Sequence, residues 1–435
     1  MRFLTTLFFL AGLPLFLFAQ DLYFPPLEGS EWATRTPLEA GMDPDSVAAL
    51  TQFLADNNTK GFLLLQDGRI VIEAYFDSFT QDSIWYWASA GKSLMGMLLG
   101  LAQEDGYLSI EDPAADYLGS GWTSCPPGGE EAVLLRHQLS MSSGFDDSVE
   151  PTGSADNCFT PDCFICMVEP GTRWAYHNSA YRILQNVLEV ATGINKNPYT
   201  RQRLGNRIGM EGFWFNYVFF STPRDMARFG LLTLAQGVWA GDTILRDTGY
   251  FEAMLESSQP ANPAYGYLWW LNGKSFYQLP GFQVDLPGSL VPEAPADMVA
   301  ALGRDDQKIY VVPSHNLVVV RMGESAGGIS PSASSFDNQL WQRLNGLWLT
   351  TSLSGDLASA SALRAFPNPA STYIQMQLPE PEGMIELWDG LGRLVRQQAI
   401  TDANPKLSIL DLPRGWYVLR WYNGKNTLQQ KVLLH

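Results

Sequence analysis

Two segments of the chain have the apolar and polar pattern of β-hairpins. Residues 61–76, GFLLLQDGRIVIEAYF, contain two apolar runs around Asp67-Gly68, a dipeptide that favours a tight turn between antiparallel strands. Residues 307–322, QKIYVVPSHNLVVVRM, contain two more runs around a Pro-Ser-His-Asn turn. The pattern therefore predicts one antiparallel hairpin towards each end of residues 21–350.

A long apolar segment lies between these hairpins. Residues 91–106, GKSLMGMLLGLAQEDG, are apolar on almost every side, which is typical of a helix buried in a protein core. Gly96 and Gly100 are four residues apart on this helix. We interpret that spacing as room for close packing of the helix, rather than as a membrane dimerisation motif.

A second helix is amphipathic. Residues 222–237, TPRDMARFGLLTLAQG, place Pro223 at a suitable first turn and Gly237 beyond the last one. Hairpins at both ends with helices between them indicate the α+β class for residues 21–350.

The pattern changes towards the C-terminus. Residues 351–362 are small and polar, as in a linker, and residues 363–435 contain only strand signals. Ile374, Met376 and Leu378 alternate with polar residues, which predicts a half-buried strand. Asn423-Gly424 predicts a two-residue type I′ turn in a hairpin. We expect this segment to form a small all-β sandwich without a catalytic cluster.

Composition narrows the function classes. The 435 residues are 46% hydrophobic and 17% charged, which is typical of a globular protein with a large core. The formal net charge is −17. Because binding to nucleic acid backbones needs clustered Lys and Arg, nucleic acid is not an expected partner.

The first residues resemble an export signal. Residues 1–19 combine one arginine, an apolar run and a small residue, Ala19, at the end. A membrane anchor is the alternative, but the run is shorter than the roughly 20 residues that span a bilayer. We therefore expect an exported protein with no stable membrane span.

Export affects the interpretation of the four cysteines. Cys125, Cys158, Cys163 and Cys166 can form two disulfides in three pairings, and the sequence does not choose among them. The spacing of Cys163 and Cys166 also occurs in zinc sites, although no second such pair is present. Buried free thiols are the third possibility.

Two serines are candidate nucleophiles. Ser325 lies in Gly-Glu-Ser-Ala-Gly after an apolar run, which is the pattern of an esterase nucleophile turn. Such a serine needs a histidine that follows it in the chain, and the only one is the terminal His435. We therefore interpret the match at Ser325 as a glycine-rich turn after a strand.

Ser89 and Lys92 are three residues apart at the start of the buried helix. On a helical turn they lie on one face, so the Lys92 amine can reach the Ser89 hydroxyl. The apolar surroundings should lower the pKa of Lys92 and favour its amine form as a base. The Ser89 amide and the helix dipole can face a developing oxyanion.

A second pair lies in PGTRWAYHNSAYRILQNVLE, where Tyr176 and Asn178 precede a helix. A phenol can carry a proton beside the serine, and an amide can bind the substrate. The alternative is a buried aromatic residue with a capping Asn. For His177, between them, we expect a hydrogen bond within the loop rather than a catalytic role.

These motifs resemble the serine β-lactamase and penicillin-binding-protein-like hydrolases, in the class C and carboxylesterase branch. The segments LSMSSGF at 139–145 and YGYLWWLN at 265–272 add to the resemblance. It implies an antiparallel sheet beside a helical subdomain, with Ser89 as acylated nucleophile, Lys92 as its activating partner, Tyr176 as general base and acid, and Asn178 as a binding residue.

The family's third motif, Lys-Thr-Gly or His-x-Gly, is replaced here by Ala301-Leu302-Gly303. Gly303 suits a close backbone approach, and the Arg304 amide is the candidate second oxyanion donor. The Arg304 side chain either replaces the missing cation or faces solvent. The pattern ALG…DQKIYVVP resembles the 6-aminohexanoate-oligomer hydrolases of the family more than true β-lactamases.

The C-terminal segment resembles another family. FPNPAS, ELWDGLGRLVRQQ, LDLPRGWYVLRW and the last apolar strand are similar to the sorting domain of the type IX secretion system. This resemblance implies contact with that machinery and a secreted or cell-surface location. A ligand-binding sandwich is the alternative.

Together these inferences predict an exported serine hydrolase that cleaves a carboxylic ester or amide through an acyl-enzyme at Ser89. No metal or organic cofactor is expected. The alternatives are a catalytically silent protein that binds cell-wall peptides, a β-lactamase or D-amino-acid peptidase, and an esterase that uses Ser325.

Overall fold

The computed structural model describes residues 22–149, 158–327, 333–349, 363–366, 370–378, 380–389, 393–402, 404–423 and 427–434. The chain divides into two compact units, residues 1–349 and 350–435. The candidate signal segment 1–19 and the candidate linker 351–362 lie outside the described residues, and so does His435.

Within the residues that the structure describes, all the helices belong to the first unit. They are α1 (Pro44–Asp56), α2 (Gly91–Glu104), α3 (Ala115–Leu118), α4 (Leu135–Leu139), α5 (Asn178–Arg182), α6 (Leu184–Thr192), α7 (Lys196–Thr200), α8 (Asn206–Ile208), α9 (Pro223–Leu234), α10 (Thr248–Met254) and α11 (Ser335–Asn345). Within the described ranges, none of them is both long enough and apolar enough to cross a bilayer.

The described residues of the first unit also form thirteen strands. They are β1 (Thr59–Gln66), β2 (Arg69–Tyr75), β3 (Trp85–Tyr86), β4 (Phe213–Phe215), β5 (Val218–Ser221), β6 (Val238–Trp239), β7 (Asp242–Thr243), β8 (Trp270–Leu271), β9 (Phe276–Leu279), β10 (Phe282–Pro287), β11 (Val299–Gly303), β12 (Gln307–Val312) and β13 (Leu317–Gly323).

A six-stranded antiparallel sheet is the centre of the first unit. Its order is β2-β1-β13-β12-β11-β8. Both expected hairpins are present, β1 with β2 and β12 with β13, and they meet where β1 pairs with β13 from Gln66↔Leu317 to Thr59↔Gly323. The two ends of the unit's sequence therefore form one sheet.

Helices cover both faces of this sheet. Every residue of β12 and β13 is buried, which explains their nearly continuous apolar runs. Gly230 of α9 packs so tightly that a Cβ there would lie 2.6 Å from Val318 Cγ1 and 3.0 Å from Ile309 Cγ2. Tyr310, the residue that follows Ile309 in β12, packs against Trp341 of α11 with ring centroids 5.6 Å apart. Since neighbouring strand residues point to opposite faces, α9 and α11 lie on opposite sides.

Helix α2 is enclosed as its apolar sequence predicts, with residues 91–102 all buried. Tyr250 of α10 packs against its two glycines. The Tyr250 hydroxyl donates to Gly96 O at 2.6 Å, and a Cβ at Gly100 would lie 2.3 Å from the Tyr250 ring. The expected close packing at Gly96 and Gly100 is confirmed.

Helix α9 begins and ends as predicted. The Thr222 and Asp225 side chains form a capping box, Pro223 is the first helical residue, and Gly237 follows the helix with φ +79°. Its polar side does not face solvent, however, because Asp225 and Arg228 are buried. The Arg228 guanidinium donates to Ile208 O and Pro26 O instead.

The second unit is all-β among its described residues. Its strands are β14 (Arg364–Phe366), β15 (Tyr373–Gln377), β16 (Gly383–Asp389), β17 (Leu394–Ile400), β18 (Lys406–Ser408), β19 (Gly415–Tyr422) and β20 (Thr427–Leu434). Sheets of order β14-β15-β18 and β17-β16-β19-β20 share one apolar core that includes Ile374, Met376 and Leu419. The expected small all-β fold is confirmed.

One detail of this unit differs from the sequence prediction. Tyr422 pairs with Thr427, so four residues connect β19 to β20. The prediction of a two-residue type I′ turn at Asn423-Gly424 is therefore wrong. The dipeptide favours a tight turn, but the cross-strand register fixes a longer connection.

Candidate active site

Ser89 lies in a short 3-10 turn, Ala88–Ala90, that leads directly into α2. Ala88 has φ +47°, a left-handed conformation that is strained for any residue with a Cβ. The preceding residue fixes the turn: Trp87 N donates to Phe219 O at 2.8 Å and Trp87 Nε1 to Ser221 Oγ at 2.8 Å. Strand β5 thus holds the serine turn in place.

Lys92 follows one helical turn later and is only 3% exposed. Its Nζ donates to Ser89 Oγ at 2.8 Å and to Asn178 Oδ1 at 3.0 Å. It also lies 4.8 Å from the ring centroid of Tyr176 and 4.5 Å from that of Tyr181. The structure therefore brings four predicted site residues, Ser89, Lys92, Tyr176 and Asn178, around one buried amine.

The ring of Tyr176 is fixed by other aromatic residues. It stacks on Trp270 of β8 at 6.1 Å and meets Tyr265 edge-on at 6.3 Å. Burial raises the pKa of the Tyr181 and Tyr265 phenols, so both remain neutral near pH 7. Tyr181 was not among the site residues predicted from the sequence; its position three residues after Asn178 was the available signal.

His177 has the loop role that was expected for it. It is fully buried, and its Nδ1 accepts the N–H of Ala180 at 3.1 Å, which caps the N-terminus of α5. Its ring packs beside Phe164 with centroids 6.0 Å apart. The imidazole thereby fixes the start of the helix that carries Asn178.

Gly303, the last residue of β11, contacts the serine turn. A Cβ there would lie 2.4 Å from Trp87 O and 3.0 Å from Ala90 N. Its φ of −123° is ordinary for any residue, so the need for glycine is steric. The close backbone approach expected at Gly303 is present, and Arg304 follows immediately at the edge of the site.

The Arg304 side chain is 51% exposed, and its Nε lies 3.5 Å from Asp305 Oδ2. The same carboxylate oxygen accepts the Tyr86 hydroxyl at 2.7 Å. Burial and this hydrogen bond raise the pKa of Tyr86, which remains a neutral donor. The family motif places a cation here. In this chain the Arg304 guanidinium lies at this place, but beside the Asp305 carboxylate, which also accepts the Tyr86 phenol.

Two buried polar residues hold the loop after β11, where Asp305 and Asp306 both have φ +59°. Gln307 Nε2 donates to Asp305 O at 2.9 Å and to Gly323 O at 2.6 Å. Arg321 Nη1 donates to Asp305 O and Asp306 O, each at 3.0 Å. Burial lowers the pKa of Arg321 to about 10, so its guanidinium stays charged at neutral pH.

These two loop supports were not predicted from the sequence. Their signal was a polar residue next to an apolar run, Gln307 at the start of QKIYVV and Arg321 within LVVVRMG. Because a buried polar group needs partners, such a residue indicates a fixed loop nearby.

Ser325 lies two residues after the end of β13 and is half-buried. Its Oγ accepts the N–H of Gly327 at 3.3 Å, and its carbonyl accepts from Asn58 Nδ2 at 2.9 Å. Ala326 and Gly327 are not helical, and α11 begins only at Ser335. A strand precedes Ser325, but within the described residues no helix follows it directly, as an esterase nucleophile turn requires.

Both disulfides lie in the first unit. Cys125 pairs with Cys166 and Cys158 with Cys163, with Cα atoms 4.9 and 6.0 Å apart. The zinc and free-thiol interpretations are therefore wrong, because all four sulfurs are bonded to sulfur. Across the described ranges, no group of three or more His, Cys, Asp or Glu could hold a metal ion.

Comparisons with known proteins agree with this architecture. Residues 48–340 match the beta-lactamase family, and residues 364–435 match the secretion system C-terminal sorting domain. A protein of Alkalihalophilus pseudofirmus is 21% identical over 319 residues, which cover 64% of this chain and 87% of that protein.

Two solved structures show the same fold. A candidate 6-aminohexanoate-dimer hydrolase from Bacillus anthracis has a TM-score of 0.55 at 18% identity, covering 75% of this chain and 88% of that one. A penicillin binding protein from Bacillus halodurans has a TM-score of 0.51 at 17% identity, covering 68% and 99%. The expected β-lactamase/transpeptidase-like fold and the resemblance of the tail are confirmed.

Proposed function

The chain belongs to the beta-lactamase family, and from that premise we propose that it is an exported serine hydrolase that cleaves a carboxylic ester or amide through an acyl-enzyme at Ser89. The observation that carries the proposal is the 2.8 Å contact between Lys92 Nζ and Ser89 Oγ. A buried amine beside a hydroxyl is the arrangement that activates a serine without histidine.

The proposed acylation step uses two proton carriers. Lys92 in its amine form accepts the Ser89 proton as Oγ attacks the substrate carbonyl, and Tyr176 donates a proton to the departing alcohol or amine. In deacylation, the Tyr176 phenolate takes a proton from water, which attacks the acyl ester. Lys92 then returns its proton to Ser89 Oγ, so every group regains its starting state.

Two backbone amides are suited to stabilise the oxyanion. The Ser89 amide lies at the start of α2, where the helix dipole favours negative charge. The Arg304 amide follows Gly303, whose backbone approaches Trp87 O and Ala90 N. We assign these two amides to the oxyanion pocket and Asn178 to substrate binding beside Lys92.

The edge of the site disfavours substrates with a free carboxylate. The family motif supplies a cation there, whereas the Arg304 guanidinium lies beside the Asp305 carboxylate in this chain. We therefore propose neutral esters or amides as substrates ahead of β-lactams and D-alanyl peptides. Loss of a motif of the family is also the observation behind the second candidate, a catalytically silent protein that kept the cleft and binds cell-wall peptides through contacts other than that cation.

The C-terminal unit supports export. Its match to the secretion system sorting domain implies the type IX machinery as a partner. We propose a secreted or cell-surface location for the mature hydrolase, after residues 1–19 have been removed as a signal peptide.

Labelling with a fluorophosphonate, followed by peptide mass spectrometry, tests the nucleophile. We expect phosphonylation of Ser89, its loss in Ser89→Ala, and its retention in Ser325→Ala. Labelling at Ser325 instead would contradict the proposal.

A substrate panel then separates the candidate functions. We expect turnover of short-chain esters, and slower turnover of a chromogenic cephalosporin and of linear aminohexanoate oligomers, which both carry a free carboxylate. D-amino-acid amides, which have no carboxylate, show whether an amide of that kind is also cleaved. Retained affinity for cell-wall peptides without any turnover or labelling would favour the silent binding protein.

A further inference from the structure

A row of aromatic side chains crosses the small sheet next to Ser89. Strands β3, β5 and β4 pair antiparallel, with Tyr86 opposite Phe220 and Phe220 opposite Phe213. The Tyr86 and Phe220 rings are 6.4 Å apart, and those of Phe220 and Phe213 stack at 5.6 Å with planes 7° apart. Residues opposite each other on neighbouring strands lie on one face, so the three rings form a continuous strip.

The strip is on the outer face of this sheet. Phe213 is 43% and Phe215 66% exposed, while Trp214 between them is buried. Phe215 extends the strip, since its ring lies 6.5 Å from that of Phe220. Exposed contiguous aromatic residues on a soluble unit are characteristic of a binding surface.

One end of the strip lies beside the catalytic residues. Tyr86 is three residues before Ser89, and its hydroxyl donates to Asp305, two residues after Gly303. The strip thus begins between the serine turn and the end of β11. Those are the two segments that would form the oxyanion pocket.

The other end of the strip borders a cavity. Phe213 and Ile84, which is 52% exposed, line a cavity of about 370 Å³ whose other walls include polar residues such as Glu211 and Asp225. A chain that starts at the reacting carbonyl and follows the rings would therefore reach the apolar rim of a second, partly enclosed region.

We propose that the strip Tyr86, Phe220, Phe213 and Phe215 binds the extended apolar portion of the substrate. This proposal rests on the proposed function and adds a substrate class to it: uncharged esters or amides with a long alkyl or aryl chain. An anionic chain is disfavoured by the Asp305 carboxylate at the end of the strip that faces the site.

The test compares two covalent probes, an ethyl and a dodecyl alkyl fluorophosphonate, on the full-length mature protein. The rate constant for labelling Ser89 should be about tenfold larger for the dodecyl probe, because its longer chain removes additional apolar surface from water when it lies against the exposed rings of the strip. The double variant Phe213→Ala with Phe215→Ala should lose most of that preference. The readout is the ratio of the two rates within each variant, so a general loss of activity does not affect it.

Two further variants show whether a loss of the preference for the dodecyl probe is specific to the aromatic strip. Phe213→Leu keeps an apolar side chain and should retain part of the preference. Tyr107→Ala is the matched control: Tyr107 is 44% exposed, like Phe213, but lies beyond the opposite end of α2 from Ser89. It should leave the ratio of the two rates unchanged.

The outcomes separate this proposal from the proposed function. Labelling of Ser89 with a ratio that the double variant does not change would overturn the apolar subsite alone. No labelling of Ser89 by either probe would overturn both. Hydrolysis of esters with varied acyl chains and with varied alcohols would then show on which side of the carbonyl the strip lies.

Discussion

Lys92 is the residue on which the proposed chemistry depends most. It donates to Ser89 Oγ and Asn178 Oδ1 and lies over the rings of Tyr176 and Tyr181. Burial disfavours an ammonium ion, whereas the two ring faces and the amide oxygen favour it. This balance would allow the group to hold a proton and release it during one reaction cycle.

Replacing Lys92 distinguishes a role as a proton-accepting base from a role as a fixed positive charge. Lys92→Arg keeps a cation and its hydrogen-bond donors but removes the base, because a guanidinium does not lose its proton in proteins. We expect kcat/KM to fall by at least about a hundredfold in Lys92→Arg, the low end of what general-base catalysis contributes. In Lys92→Met, kcat/KM should fall by as much.

The control for both variants is a thermal melt, which shows whether the variants remain folded. If Lys92→Arg were folded and as active as the wild type, Lys92 would act only as a charge or a donor. The base would then have to be another group.

At the scale of elements, the contact between β11 and the serine turn determines the proposed oxyanion pocket. In Gly303→Ala the new Cβ would meet Trp87 O, a backbone atom that cannot turn aside. The strand must then move away and take the Arg304 amide with it. Losing one oxyanion donor costs about 3 kcal/mol, so we expect kcat to fall by about a hundredfold.

Gly249→Ala in α10 is the matched control, because its Cβ would have only Asp247 Oδ1 nearby, at 3.5 Å. It should keep wild-type kcat. An unchanged kcat in Gly303→Ala would show that the Arg304 amide is not an oxyanion donor.

Much of the element pattern could be predicted from the sequence because it depends on local periodicity. The β1-β2 and β12-β13 hairpins, the buried helix α2 and the ends of α9 all follow from apolar spacing and turn residues. The four-residue β19-β20 connection and the burial of the polar face of α9 could not be predicted in this way. Both are set by contacts with distant segments, such as that of Arg228 with Pro26 O.

The candidate site shows the same division. The contact of Ser89 with Lys92 is local and follows from a spacing of three residues on a helix. The contact of Lys92 with Asn178 joins residues 86 positions apart, and only the family resemblance indicated it. The strip of Phe213, Phe220 and Tyr86 was not predicted, because three short strands show their common face only after they pair.

At the scale of the whole molecule, the described residues of each unit form an apolar core of their own. One includes residues from Trp32 to Leu347, and the other includes residues from Leu363 to Leu434. Every candidate catalytic residue, and both disulfides, belong to the first unit. Hydrolysis and export should therefore be separable properties of the protein.

Removing residues 363–435 tests this separation. The shortened chain keeps the whole six-stranded sheet and the core around α2, so it should fold and retain the kcat and KM of the full chain for a short-chain ester.

In a host with type IX secretion, the full chain should reach the medium or cell surface, whereas the shortened chain should remain in the periplasm. Cell fractionation with an esterase assay measures both properties. A folded but inactive shortened chain would mean that the second unit contributes to the site. Equal export of the two chains would show that the second unit, despite its match to the sorting domain, does not direct export.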